Sequence, residues 1–164
     1  MTLQEAAAKA EELAQEGDER SLAALRVQWD EEIEFACRSS DYRVRAVGYR
    51  ALAQFRFRQK LQLLRRGLED ESPAARGSAL IALEAFSRDH PGDVNGYRPL
   101  LHEMAARDPN VAVRRLSVIC LKNGSPNRDT IQLLEGIAED DEAEAELRKT
   151  ARVVHTALRR KASQ

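Results

Sequence analysis

Apolar residues recur along this chain every third or fourth position and nowhere alternate one by one, a pattern that predicts helices and no strand. Leu22, Leu25, Trp29, Ile33 and Cys37 trace one stripe, Leu61, Leu64 and Leu68 a second, and Ile131, Leu134, Ile137 and Ala138 a third. Capping residues mark where the helices start. Thr2 with Glu5 predicts a capping box, in which the hydroxyl accepts one orphan amide and the carboxylate another. Ser72-Pro73, Asp108-Pro109 and Ser125-Pro126 each place a capping side chain before a proline, the residue tolerated at the first helical position because its missing N–H would be unpaired there. These signals predict nine helices, over 2–16, 20–38, 42–55, 58–69, 73–87, 97–107, 109–122, 127–139 and 142–161. Residues 87–96 read as one long connector, and Gly124 as a left-handed helix end.

The pattern also repeats at long range. Val44-Arg45, Ala75-Arg76, Val113-Arg114 and Leu147-Arg148 each set an apolar residue before an arginine, with a small residue three positions on: Gly48, Ala79, Ser117 and Ala151. The arginines stand 31, 38 and 34 residues apart, the period of stacked helical hairpins. Turns this short force paired helices to lie antiparallel. Gly48, Gly67, Gly77 and Gly136 fall inside helical phrases, where close helix packing is the expected reason for them. The first helix has only Leu3 and Leu13 as large apolar residues, which predicts a loosely held end cap or part of a dimer contact.

The phrases SDYRVRAVGYRAL, DESPAARGSALIAL and DPNVAVRRLSVICL resemble HEAT repeats, especially the short bacterial kind also found in phycobilin lyases. The resemblance covers about residues 30–158. It implies an all-α fold, an α-α superhelix of about four hairpins in a single domain over 1–164, with 1–18 as an N-terminal capping helix and 19–161 as repeats. It also implies a ladder in which a turn aspartate and a second-helix arginine tie neighbouring repeats. Asp70 with Arg76 and Asp108 with Arg114 match that spacing, whereas Ser39 with Arg45 and Glu142 with Arg148 depart from it.

A chain with 43% hydrophobic but only 5% aromatic residues builds its core from Leu, Ala, Val and Ile. The net charge of −1 supplies no global attraction to nucleic acid or anionic membrane. Charge is nevertheless blocked. Residues 1–40 carry 4 basic and 10 acidic side chains, and residues 148–164 carry 6 basic and none acidic. No apolar run approaches the roughly 20 residues that cross a bilayer, and the acidic amino terminus does not read as a secretory signal. Cys37 and Cys120 lie in apolar phrases as small hydrophobes. The expectation is a cytoplasmic protein without disulfides.

Catalytic chemistry finds little footing. His102-Glu103 resembles one of the several His-Glu pairs by which deoxyhypusine hydroxylases hold iron, but a single pair is present, and neither cysteine has a histidine neighbour. No enzyme activity, cofactor or metal is therefore expected. A weaker alternative is a bilin-lyase-like enzyme with His155 or Cys120 near a pigment. A basic band is more suggestive: Arg43, Arg45, Arg50, Arg56, Arg58, Lys60, Arg65 and Arg66 stand between Asp41 and Glu69 with no carboxylate among them. Such clustering suits phosphate contacts, as in alkylpurine glycosylases of stacked helical hairpins. The plainer reading pairs these cations with the acidic segments of the chain itself.

Aligning the repeats on their arginines isolates one further face. Five residues on stand Arg50, Ile81, Ile119 and Val153; one residue on, Ala46, Gly77, Arg115 and Lys149; eight on, Ala53, Glu84, Lys122 and Thr156. Helical spacing puts these on one side of each second helix, the side that lines the concave surface in HEAT-like stacks. An apolar centre with charged flanks is how peptide and domain grooves are built. The sequence thus predicts a non-enzymatic scaffold or adaptor binding another protein through Arg50, Ile81, Glu84, Arg115, Ile119 and Lys122, with nucleic acid on the Arg43–Arg66 band as the alternative. It predicts no membrane contact and a monomer or weak homodimer.

Overall fold

The computed structural model describes residues 1–164 and contains nine α-helices, one 3-10 turn and no strand. The all-α expectation holds. Residues fall into two compact units, 1–82 and 83–164.

The first unit contains α1 (Leu3–Glu16), α2 (Glu19–Cys37), α3 (Tyr42–Gln54), a 3-10 turn at Arg58–Lys60, α4 (Gln62–Leu68) and the start of α5 (Pro73–Asp89). The predicted capping box is present: Thr2 Oγ1 accepts from Glu5 N at 3.1 Å and Glu5 returns the bond at 3.0 Å. α1 packs on both α2 and α3. Its inner face is Ala6, Ala7, Ala10 and Leu13, all buried. The expectation of a loosely held helix is thereby corrected, because alanines let the backbone approach closely where large side chains would hold it off. Gly17 ends α1 at φ 75°, the left-handed conformation that glycine accepts without strain. The core of this unit is Leu22, Ile33, Tyr49, Leu52, Phe55, Leu64, Leu68 and Leu80.

Two of the predicted packing glycines are confirmed here. A Cβ on Gly48 would lie 2.8 Å from Cys37 N, and one on Gly67 would lie 2.8 Å from Ala79 Cβ. Gly136, by contrast, has open space around it, so close packing does not explain it. The helix expected over 58–69 is shorter than predicted. Arg56 takes φ 53°, and the chain then passes through the 3-10 turn before α4 begins.

The second unit contains the end of α5, then α6 (Gly92–Arg107), α7 (Val111–Leu121), α8 (Arg128–Glu139) and α9 (Ala145–Ala162). α6 pairs with α7 and α8 with α9, while α7 lies against α9 and α6 against α8. First helix on first and second on second is the packing of stacked repeats. Its core includes Leu83, Leu101, Val118, Leu121, Leu134, Leu147 and Leu158.

Three expectations are corrected in this unit. The long connector over 87–96 does not exist, because α5 runs to Asp89 and α6 starts at Gly92. Pro91 is already at φ −56°, ψ −27°, a proline preset for the first helical turn, where Asp93 adds a favourable charge. Longer helices, rather than a loop, therefore account for the 38-residue spacing. Second, Pro109 and Pro126 stay outside their helices. Asn110 and Asn127 cap instead, accepting from Val113 N at 3.1 Å and Thr130 N at 3.2 Å. An asparagine directly after the proline supplies a better-placed amide oxygen than the residue before it. Third, Gly124 is not left-handed. Its missing side chain makes room for Val94, whose Cγ1 would lie 2.8 Å from a Cβ there.

Candidate functional site

The motif arginines occupy the fourth position of each second helix and anchor the repeats. Arg45 donates through Nη1 to the Ser39 and Ser40 carbonyls at 3.0 and 3.1 Å. Arg76 does the same with the Asp70 and Glu71 carbonyls, at 2.9 and 3.2 Å. Arg45 also reaches the next turn, where its Nε and Nη2 meet the Asp70 carboxylate at 2.7 and 2.9 Å. This bidentate pair is the ladder rung. It forms although Ser39 stands where an aspartate was expected, since Arg45 needs only a backbone carbonyl from its own turn and takes its carboxylate from the following one.

Asp70 is a hub. Besides Arg45 it accepts from Ser72 N at 2.9 Å and Tyr49 Oη at 3.3 Å. Burial works against its charge, but Arg45 and the Ser72 amide outweigh it and hold the carboxyl below its ordinary value. Tyr49 is pushed up to about 12 by burial and by the Asp70 charge. The same turn geometry recurs at Asp108, accepting from Asn110 N, and at Asp140, accepting from Glu142 N, each at 2.9 Å. Asp140 is the turn aspartate that spacing missed. Two additional residues separate it from α9, so that Glu142 falls six before Arg148 in its place. Arg114 donates to the Ala105 carbonyl at 2.8 Å, and Arg148 Nε is buried without a partner.

The face predicted on the second helices turns outward. In the first unit Arg50 is exposed and carries no carboxylate, and Ile81 is 39% exposed. In the second unit Ile119 is half-buried, Val153 is 59% exposed, and Arg115, Lys122 and Lys149 are exposed. Arg115 Nε donates to Thr150 Oγ1 at 2.9 Å, which joins the α7 and α9 parts of this surface. The carboxylate of Glu84 is taken by Arg88 at 2.6 Å, while its carbonyl accepts from Ser87 Oγ at 2.7 Å. Gly77 and Ala53, the small members of the aligned set, are buried.

The basic band is partly spent within the protein. Arg43 pairs with Asp41 at 3.2 Å, Arg45 with Asp70, Lys60 with Asp30 and Glu34 at 2.6 Å each, and Arg65 with Glu69 at 3.4 Å. Arg56 caps the Ala53 carbonyl through Nη1 at 2.8 Å. Arg58 and Arg66 are exposed. What remains is a mixed surface, not a continuous cationic track.

The other chemistry-bearing residues are held in structural roles. His102 Nε2 meets Thr130 Oγ1 at 2.7 Å, and burial together with the Arg98 charge lowers its pKa, so the ring stays neutral at pH 7. Cys37 and Cys120 are buried and form no disulfide. Burial pushes the Cys37 thiol up to about 12 and raises Cys120 as well, so neither is a thiolate at neutral pH. No group of three or more His, Cys, Asp or Glu converges as metal ligands would. No helix is long and apolar enough to cross a membrane.

Sequence reasoning missed one surface altogether. Val27 and Phe35 on α2 are each 80% exposed. Phe35 divides two open hollows, one of about 730 Å³ beside Asp30, Glu34 and Lys60 and one of about 390 Å³ against Leu3, Ala36 and Val44. Two apolar residues eight apart share a helix face, and the acidic residues between them hid that signal.

No curated protein matches the sequence. Residues 30–95, which take in the end of α2, all of α3 and the Arg45–Asp70 rung, match the family model described as HEAT repeats, so this part of the chain is HEAT-like.

Proposed function

We propose that the protein is a non-enzymatic interaction module, a scaffold or adaptor that holds another protein against the outward faces of its second helices. HEAT repeats commonly mediate protein–protein interaction. The observation that carries the reading is a position repeated without internal use: five residues past each motif arginine the side chain reaches solvent, and it is Ile81, Ile119 or Val153 in three repeats of four. Each unit sets solvent-facing aliphatics among cations, Ile81 with Arg50 in the first and Ile119 and Val153 with Arg115 and Lys122 in the second, which supplies apolar and charged contacts of the kind a partner face needs. Glu84, tied to Arg88, is the least available of these residues.

Ile81→Asp in one variant and Arg115→Glu with Lys122→Glu in another test it. Crosslinking and pull-down should show at least tenfold weaker partner capture, with helical content unchanged by circular dichroism. Capture equal to that of the parent chain refutes the proposal. The nucleic-acid alternative keeps Arg50 and Arg66 as its free cations. It requires affinity that falls steeply with salt, and a flat salt titration removes it. The sealed cysteines fit a reducing, cytoplasmic setting and give the bilin-lyase reading no accessible thiol.

A further inference from the structure

Ala24, Val27, Glu31 and Phe35 follow one another at spacings of three and four along a single side of α2. Val27 and Phe35, each 80% exposed, lie about 12 Å apart on that side. Scattered surface aliphatics need no explanation. This side differs from its counterparts, however: α4, α6 and α8, the helices that precede the other motif arginines, carry no exposed large apolar residue.

The patch extends beyond α2. Val44 on α3 is 40% exposed, and with Leu3, Ala36 and Phe35 it lines the hollow of about 390 Å³. Glu31 and Glu32 complete that lining. The other carboxylates of the helix are engaged: Asp30 and Glu34 hold Lys60 at 2.6 Å each, Glu34 also takes Arg38 at 3.3 Å, and Glu19 takes Arg26 at 2.9 Å. Glu31 and Glu32 are exposed and have no cation of the chain beside them. An apolar recess rimmed by two unanswered carboxylates is therefore left open on the outer side of the hairpin.

We propose that this side of α2 is a second docking surface, which receives a cationic amphipathic segment of a partner protein. An apolar side chain of that segment enters the hollow between Phe35, Val44 and Leu3, and its lysines or arginines meet Glu31 and Glu32. The sign of the partner follows from the surroundings. Residues 1–40 carry 10 acidic and 4 basic side chains, so an acidic segment is repelled, and a neutral one would set two unpaired carboxylates against an apolar contact. The surface shares no residue with the outward face of the second helices and does not depend on it.

The test uses the full chain and a fluorescently labelled peptide of leucine and lysine, with leucines at i, i+3, i+4 and i+7. Fluorescence anisotropy should show saturable binding. Phe35→Ser should weaken it about tenfold or more, and so should Glu31→Gln combined with Glu32→Gln. Both variants change exposed positions only, and their circular dichroism should match that of the parent. Glu135→Gln with Glu139→Gln removes the same charge from exposed positions of α8 and should leave affinity unchanged. A peptide with glutamate in place of lysine should not bind. No binding of the lysine peptide, undiminished binding by Phe35→Ser, or an equal loss in the α8 variant overturns the proposal. Sedimentation of the protein alone supplies the other arm: a monomeric parent chain supports a foreign partner, whereas self-association lost in Phe35→Ser assigns the patch to a second copy and overturns it.

Discussion

Arg45 and Arg148 carry the same motif and end in opposite circumstances. Both are fourth in a second helix, both stand after an apolar residue, and both precede a small residue by three. Arg45 makes a bidentate pair with Asp70 and caps two carbonyls, while Arg148 leaves its Nε buried and unanswered. The difference lies in the surroundings: α3 has the Asp70 turn beside it, whereas no acceptor stands beside Arg148 Nε. A repeat motif specifies a side chain that reaches beyond its own hairpin, and only the neighbour decides whether that reach ends in a bond.

Removing the neighbour's contribution should break the contrast most strongly. Asp70→Ala strands Arg45 in a nearly buried site, its side chain only 10% exposed, and such a loss costs about 3 kcal/mol or more. Urea unfolding of the full chain measures it. A cost under about 0.5 kcal/mol, the scale of ordinary surface changes, would show that the rung is no more than decoration.

Steric room distinguishes the two helices next. Gly48 and Ala151 occupy equivalent positions, but a Cβ on Gly48 would lie 2.8 Å from Cys37 N, so α3 sits closer to its hairpin partner than alanine allows. Gly48→Ala should destabilise by about 1–3 kcal/mol through overpacking. A rise in melting temperature would show instead that α2 and α3 adjust freely.

Acid should dissolve the rung while leaving Arg148 indifferent. The folded-state pKa of Asp70 is lowered, so its contribution is fully present above the unfolded carboxyl value, about 4, and is lost as pH falls through the folded value. Glu34, lowered chiefly by its bond from Lys60, acts in the same direction. Stability measured from pH 6 down to pH 2 should therefore fall, and Asp70→Asn should lack part of that fall. Parallel pH curves for parent and variant would contradict the assignment.

The smallest effect is expected at Arg148 itself. Arg148→Met removes a guanidinium whose buried Nε–H has no acceptor and keeps an aliphatic stem of similar length, so stability should hold or rise by up to about 1 kcal/mol. The matching Arg45→Met variant abandons Asp70 and should lower stability. Equal costs would erase the distinction between a filled rung and an open one.

Much of this arrangement was legible in the residues. Capping at Thr2 and Ser72 and the buried stripe through Leu22, Trp29 and Ile33 can be read from spacing alone, because helical periodicity is a local property, whereas spacing gave only a shared helix side for Arg50, Ile81 and Val153 and their exposure came from the structure. The misreadings have a common origin. Asp108-Pro109 and Ser125-Pro126 offered two capping side chains within three residues of an asparagine, and which one engages depends on where the preceding helix delivers the chain. Alanines on α1 looked uninformative because their value lies in how close a neighbour can come. Phe35 lies off the predicted α2 stripe, so spacing did not single it out, and its side of α2 is left uncovered.

The order of helices, the repeat and the sharing of one helix side by the aligned positions are written in the sequence itself, since each depends on neighbours one or two turns away. The pairing of Arg45 with Asp70, the sealing of Cys37 and Cys120, the partial neutralisation of the basic band and the open state of Arg148 were decided only by tertiary structure. They join or fail to join residues tens of positions apart, and the free energy of a charge depends on what finally surrounds it.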